Sequence, residues 1–339
     1  MRRGAIITIV ALALAGAARA NDTQAVLKAG GLKFEKSAAV RIEREDLTIA
    51  PDGIRVRYVF RNLTAAPVTT LIAFPLPELD VGDLSETPHT FHFNGRDGDV
   101  VDFRLTVNGR PVAATLEARA VNYKGRDITD TLSTLHIPLV GARSDEETLD
   151  ALAALKPAAV KRLVAVDGAY PDEWVGSDSI KHPKWIVRSA YHWRQTFPAG
   201  ATTVIEHRYR PVMGEVMFEK FADLLPDNAL GALGTWPEEH RSWCATAKSV
   251  DAYTAGRDED QANVQWVEYV LKTGANWAGP IGAFHLTIAP GAKSAAFTCP
   301  IKGLTLRKVG RDLVADRTAF TPTADIAVMF LTDAGPAKH

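Results

Sequence analysis

Cysteine is nearly absent from this 339-residue chain: Cys244 and Cys299 are the whole complement, and both fall in the last third. They lack Cys-x-x-Cys spacing and no histidine motif frames either one, so redox or thiol-nucleophile chemistry has no sequence support. Neither sign of charge prevails, with 39 basic residues against 40 acidic ones and no basic stripe or long like-charge block. That balance excludes the electrostatic footprint of a nucleic-acid binder. After the first twenty residues, no continuous apolar run approaches the roughly 20 residues needed to cross a bilayer. Also missing are a His-Glu-x-x-His or other zinc spacing, a Gly-x-Ser-x-Gly elbow, a Gly-x-Gly-x-x-Gly turn and a phosphate-binding loop. The sequence therefore assigns no cofactor, no metal and no catalytic residue.

What is present begins with a tripartite leader. Arg2 and Arg3 supply a positive start, Ala5 to Ala17 form an uncharged, largely apolar run, and Ala18-Arg19-Ala20 supplies small residues at a cleavage site. Cleavage after Ala20 is expected, giving a mature chain that starts at Asn21, free in the periplasm or secreted. No cysteine near the site would carry a lipid. Removal of three arginines leaves 36 basic and 40 acidic residues, a formal charge of −4. In an oxidising compartment the isolated cysteines are expected to form a Cys244–Cys299 disulfide.

Alternation of period two dominates the rest and implies an all-β fold of two antiparallel β-sandwich-like domains. Ile54, Val56, Tyr58 and Phe60 interleave with Arg55, Arg57 and Arg61, and Pro51-Asp52-Gly53 turns the chain back from a strand ending at Ile49. Further strands are expected at Thr70 to Phe74, Phe103 to Val107 with Val112 to Leu116 returning, Trp193 to Phe197, Thr203 to Tyr209, Val264 to Leu271, Phe284 to Ile288, Leu304 to Lys308 and Ile326 to Leu331. Ser144-Asp145-Glu146-Glu147 opens a helix with a capping side chain, and Pro157 breaks it in two. A short helix is expected from Met217 to Leu225. The implied organisation is a first sandwich of residues 21–125 together with 186–215, a helical insertion at 126–185, a second β domain at 216–333 and a tail at 334–339.

Several segments together resemble the domain of unknown function 4424 family of exported bacterial proteins. They are Asn21-Asp22-Thr23, Gly30-Gly31-Leu32, Glu45-Asp46-Leu47, Ala73-Phe74-Pro75-Leu76-Pro77, His207-Arg208-Tyr209-Arg210-Pro211 and, most distinctive, Thr273 to Ile281. Thr23 stands where the pattern leads one to expect serine. The resemblance implies export and no activity. Phe60-Arg61-Asn62, Ala73 to Pro77 and Val107-Asn108-Gly109 also resemble the vault protein inter-alpha-trypsin domain, a β-sandwich. That likeness implies a fold only, and the Asp-x-Ser-x-Ser motif of its metal-binding companion domain is missing.

Nine histidines include one close pair, His89 and His92, which a strand would point to opposite faces. Asn276 and Trp277, set among Gly274, Gly279 and Pro280, are the candidate binding residues, an amide and an aromatic on a rigid loop. Packing of Trp277 into the sandwich end is the competing assignment. Trp243, beside Cys244, is expected to pack on the disulfide. The functional expectation is a non-catalytic binding or envelope-associated factor whose partner is an envelope protein or glycan; the alternative is a hydrolase acting on an envelope polymer.

Overall fold

The computed structural model describes residues 22–28, 31–84, 88–170, 182–218, 243–244, 262–292 and 294–333. In chain order, β1 (Thr23–Lys28), β2 (Gly31–Glu35), β3 (Val40–Ala50), β4 (Gly53–Asn62) and β5 (Val68–Pro75) precede β6 (Leu79–Asp80), α1 (Val81–Leu84) and β7 (His89–Thr90). Next come β8 (Arg104–Val107), β9 (Arg110–Val112) and β10 (Thr115–Asn122), then α2 (Thr129–Thr134), α3 (Glu146–Ala153) and α4 (Pro157–Ala165). β11 (Trp185–Phe197), β12 (Thr202–Tyr209), β13 (Met213–Phe218) and β14 (Ala262–Tyr269) lead to a 3-10 turn over Lys272–Asn276. β15 (Ile281–Ile288), β16 (Ser294–Phe297), β17 (Arg307–Val309), β18 (Asp312–Phe320) and β19 (Ile326–Asp333) complete the set. The fold is all-β, as expected.

The described strands form three sheets. A six-stranded sheet runs β10-β11-β5-β1-β2, with β6 also paired to β11. An eight-stranded sheet runs β17-β18-β15-β3-β4-β12-β8-β9, and a five-stranded one β16-β19-β14-β13-β7. Within the eight-stranded sheet β3 pairs in parallel with β15, so hydrogen bonds join the first fifty residues to the last sixty. Parallel neighbours need a crossover, and here most of the chain serves as one.

Alternation sets which side chains enter the core. In β4, Ile54, Val56, Tyr58 and Phe60 are buried, while Arg55, Arg57 and Arg61 lie on the outer face. There Arg57 pairs with Glu206 at 3.3 Å and Arg61 with Glu43, half-exposed bridges that add little stability. β3 departs from strict alternation: its register against β4 shifts between Ile42 and Arg44. This bulge turns Glu45, rather than Arg44, towards the core in phase with Leu47 and Ile49. β15 approaches the bulge so closely that a Cβ on Gly282 would sit 2.5 Å from the Glu43 carbonyl oxygen.

The helices pack Leu132, Leu152 and Leu163 onto the same buried cluster as Trp185, and Trp185 Nε1 donates to the Leu139 carbonyl at 3.1 Å. The segment between α2 and α3 is held by Asp97, whose carboxylate accepts from the amides of Leu139, Val140 and Gly141 at 2.8, 3.1 and 3.0 Å.

Four local expectations need correction. No side chain caps α3; Glu147 folds back instead to accept from the Ala142 amide at 2.7 Å. Val112 to Leu116 is not one strand, because the chain leaves the eight-stranded sheet after Val112 and enters the six-stranded one at Thr115. Met217 and Phe218 belong to β13 rather than to a helix, paired with Asn263 and Ala262; the remainder of that expected helix, to Leu225, lies outside the described residues. Leu304 to Lys308 is a strand only from Arg307, and it pairs with β18, whose run of charged and exposed residues hides its periodicity.

Candidate functional site

A cleft of about 350 Å³ opens where the three sheets meet. One wall follows β5. The Pro75-Leu76-Pro77 run cannot continue a ladder, and the Leu76 amide donates to the Ser189 carbonyl at 2.9 Å as the chain turns away. Glu78 is then fixed by Arg188 at 2.7 Å. Asp80 accepts from the Gly82 amide at 2.9 Å and from the Tyr123 hydroxyl at 2.7 Å, which sets α1 at the rim. Burial and then Asp80 push the Tyr123 phenol above its ordinary pKa, so it stays a donor.

The opposite wall comes from the five-stranded sheet. Trp266 on β14 stands across from Gly214 on β13, and its ring lies 5.6 Å from Trp243 and 6.2 Å from His89. Cys244 is bonded to Cys299, as expected, so Trp243 is anchored by its neighbour's disulfide. Val100, Val101 and Tyr209 close the inner end. The buried Tyr209 hydroxyl has no hydrogen-bond partner among the described residues, and burial pushes its pKa upward. The described lining contains Glu78, Asp80, Asp83 and Glu268 but no lysine or arginine. Glu78 is taken by Arg188, so the lining sets aromatic faces beside Asp80, Asp83 and Glu268, a chemistry that suits a cationic group.

The two candidate binding residues lie elsewhere. Asn276 and Trp277 are only 8% and 4% exposed. Asn276 Nδ2 donates to Thr23 Oγ1 at 3.1 Å, and Trp277 Nε1 donates to the Asp22 carbonyl at 2.6 Å. The Trp277 ring packs on Phe60 and Phe197 at 4.7 and 6.2 Å. Both donors are thus taken by the chain's own N-terminal segment. His89 lines the cleft, and His92 bridges to Val101 outside any strand. Among the described residues no group of three or more metal-ligating side chains converges. No helix among them is long and apolar enough to cross a membrane.

Next to Asn276 and Trp277 lies a buried polar group that sequence reading passed over. Asp22 Oδ1 is 2.8 Å from His207 Nε2, and both side chains are fully buried. His207 is boxed by Phe74, Phe103, Trp193 and Tyr58 at 4.8 to 5.7 Å. Glu45 is fully buried on β3 of the same eight-stranded sheet as His207, and the Tyr58 and Tyr269 hydroxyls meet at 3.3 Å. Burial raises both phenols well above their ordinary pKa, and the charges of Glu45 and Asp22 add to this. The phase of β12 was the available signal for His207, which falls in step with Ile205 and Tyr209.

No curated protein matches this chain. Solved structures that resemble it include a Legionella pneumophila protein provisionally described as nutrient-binding. It is 16% identical, the match covers 93% of this chain and 72% of that one, and the TM-score is 0.41. An M1 zinc metallopeptidase from Deinococcus radiodurans is 9% identical over 87% of this chain and 43% of its own, with a TM-score of 0.28. Likenesses this distant bear on neither function nor ligand. The model of one family, described as Domain of unknown function (DUF4424), matches residues 20–329.

Proposed function

The chain belongs to the Domain of unknown function (DUF4424) family, and from that premise we propose that it is an exported, non-catalytic binding protein whose ligand occupies the cleft lined by Trp243 and Trp266. The leader ending at Ala20 and the Cys244–Cys299 bridge support export to an oxidising compartment. The observation that carries the binding reading is the cleft lining itself: two tryptophans with Asp80, Asp83 and Glu268, and no lysine or arginine among its described residues, Glu78 being paired with Arg188 from outside the lining. The ligand is a compact amine-bearing molecule, a class that includes aminated glycans of the envelope. Its ammonium lies among the carboxylates and its apolar face against the indoles.

Titrating the mature protein with glucosamine, choline and spermidine, against glucose and N-acetylglucosamine, tests this by calorimetry and tryptophan fluorescence. The amines are expected to bind, to weaken as salt rises and to lose affinity in Trp266→Ala. Equal binding of the neutral sugars, or no binding by any amine, would contradict the proposal.

A further inference from the structure

Strand alternation places a row of side chains on the outer face of the eight-stranded sheet. Thr287, Thr48, Arg55, Arg208 and Arg104 stand opposite one another in turn across β15, β3, β4, β12 and β8. Their neighbours along β4 and β12, Ile54, Val56, His207 and Tyr209, are buried in the core. Side chains directly opposite in a sheet have Cβ atoms about 5 Å apart. The row thus sets three arginines side by side within about 10 Å, all of them exposed.

The acids on this face are taken elsewhere. Asp46 is held by Arg44 at 2.6 Å and by Arg57 at 3.7 Å, and Glu206 by Arg57 at 3.3 Å. Glu43 is shared by Arg41 and Arg61. At the end of the row, Asp102 serves both Arg104 and Arg210, at 3.3 and 3.5 Å. Arg55 and Arg208 form no ion pair among the described residues. Like charges directly opposite destabilise a sheet. β4 and β12 are interior strands, where charge does not guard an edge. Neither stability nor edge protection accounts for the pair.

We propose that this row docks the protein on an anionic membrane surface, with lipid phosphates bridging Arg55, Arg208 and Arg104. Guanidinium groups take phosphate oxygens through paired N–H donors, and Thr48 sets a hydroxyl-bearing residue beside Arg55. None of these residues lines the cleft, so the inference is independent of the ligand proposed there. An open sheet face holds a single dissolved anion weakly, because salt screens each exposed charge. A surface that carries many phosphates engages the arginines together, and their contributions combine. The whole chain has 39 basic and 40 acidic residues, so any attraction to such a surface has to be local.

Cosedimentation of the mature protein with phosphatidylcholine vesicles, with and without phosphatidylglycerol, tests this at low and at physiological salt. Binding is expected only with phosphatidylglycerol, and it is expected to weaken as salt rises. Each arginine near an anionic surface is worth about fivefold in affinity. Arg55→Gln with Arg208→Gln is therefore expected to lose at least about tenfold, while its urea midpoint is kept or raised by relief of the like-charge pair. Arg126→Gln with Arg162→Gln removes the same charge from exposed positions outside the row, and is expected to bind as the unaltered chain does. No binding to phosphatidylglycerol, or an equal loss from both pairs, overturns the inference. So does release from the vesicles by inorganic phosphate where sodium chloride of equal ionic strength leaves the protein bound, which would assign the row to a free anion.

Discussion

Gly214 lies directly opposite Trp266 across the β13–β14 ladder, and a Cβ on Gly214 would sit 2.0 Å from the indole. The ring rests on bare backbone, which is what lets it lie flat against the cleft wall. Alanine at this position must displace the ring rather than merely crowd it. Gly214→Ala is expected to cost about 1–3 kcal/mol of stability by overpacking and to shift tryptophan emission as Trp266 moves into solvent. Unchanged emission together with unchanged ligand affinity would show that the indole does not need this contact.

Asn62 ends β4 fully buried and makes four side-chain hydrogen bonds. Its amide nitrogen donates to the carbonyls of Ala66 at 2.8 Å and Phe197 at 3.0 Å, while its oxygen accepts from Thr64 at both the backbone and the hydroxyl. The side chain therefore ties the β4–β5 turn to the end of β11. Asn62→Ala leaves buried partners unsatisfied and is expected to cost about 3 kcal/mol in urea unfolding. A loss below about 1 kcal/mol would mean that water takes over those partners.

How much of this was legible in the sequence depended on regularity. β4 could be read because its apolar residues keep strict alternation, and Pro157 divided α3 from α4 as its missing donor requires. Glu45 could not be placed, since the bulge at Ile42 and Arg44 reverses the phase and only pairing to β4 reveals it. Met217 and Phe218 fall in a short apolar run whose periodicity does not separate helix from strand. The cleft was hidden for a different reason: Glu78, Tyr209 and Trp266 come from distant segments that converge only once three sheets assemble. Asn276 and Trp277 were legible as a rigid pair, but their partners Thr23 and Asp22 lie 253 and 255 residues away.

The Cys244–Cys299 bridge spans 55 residues. By the loop-entropy relation, removing it should cost about 4 kcal/mol. The paired substitution Cys244→Ala with Cys299→Ala is expected to lower the urea midpoint by a corresponding amount. It should also change the near-ultraviolet circular dichroism, because Trp243 loses its tether beside Trp266. Full retention of the midpoint would show that the described strands hold the loop without the bond.

Asp22 gives the fold a pH dependence of a particular sign. Burial raises its pKa from 3.8, so just above that value the folded chain retains a proton that the unfolded chain has released. Stability therefore falls as pH rises through the raised pKa, and it is fully present below the unfolded one. Glu43, held low first by Arg61, and Asp167, held low first by Lys184, act in the opposite direction: they lose stability as pH falls through their lowered values. His92 and His192, both lowered from 6.5 first by burial, also lose stability as pH falls below that value, so Asp22 is read from the part of the slope that Asp22→Asn removes. Between about pH 4 and about pH 7, urea midpoints of the mature chain are expected to fall relative to those of Asp22→Asn. The same slope with and without Asp22 would assign the titration to another group and leave the buried carboxylate without a measurable role.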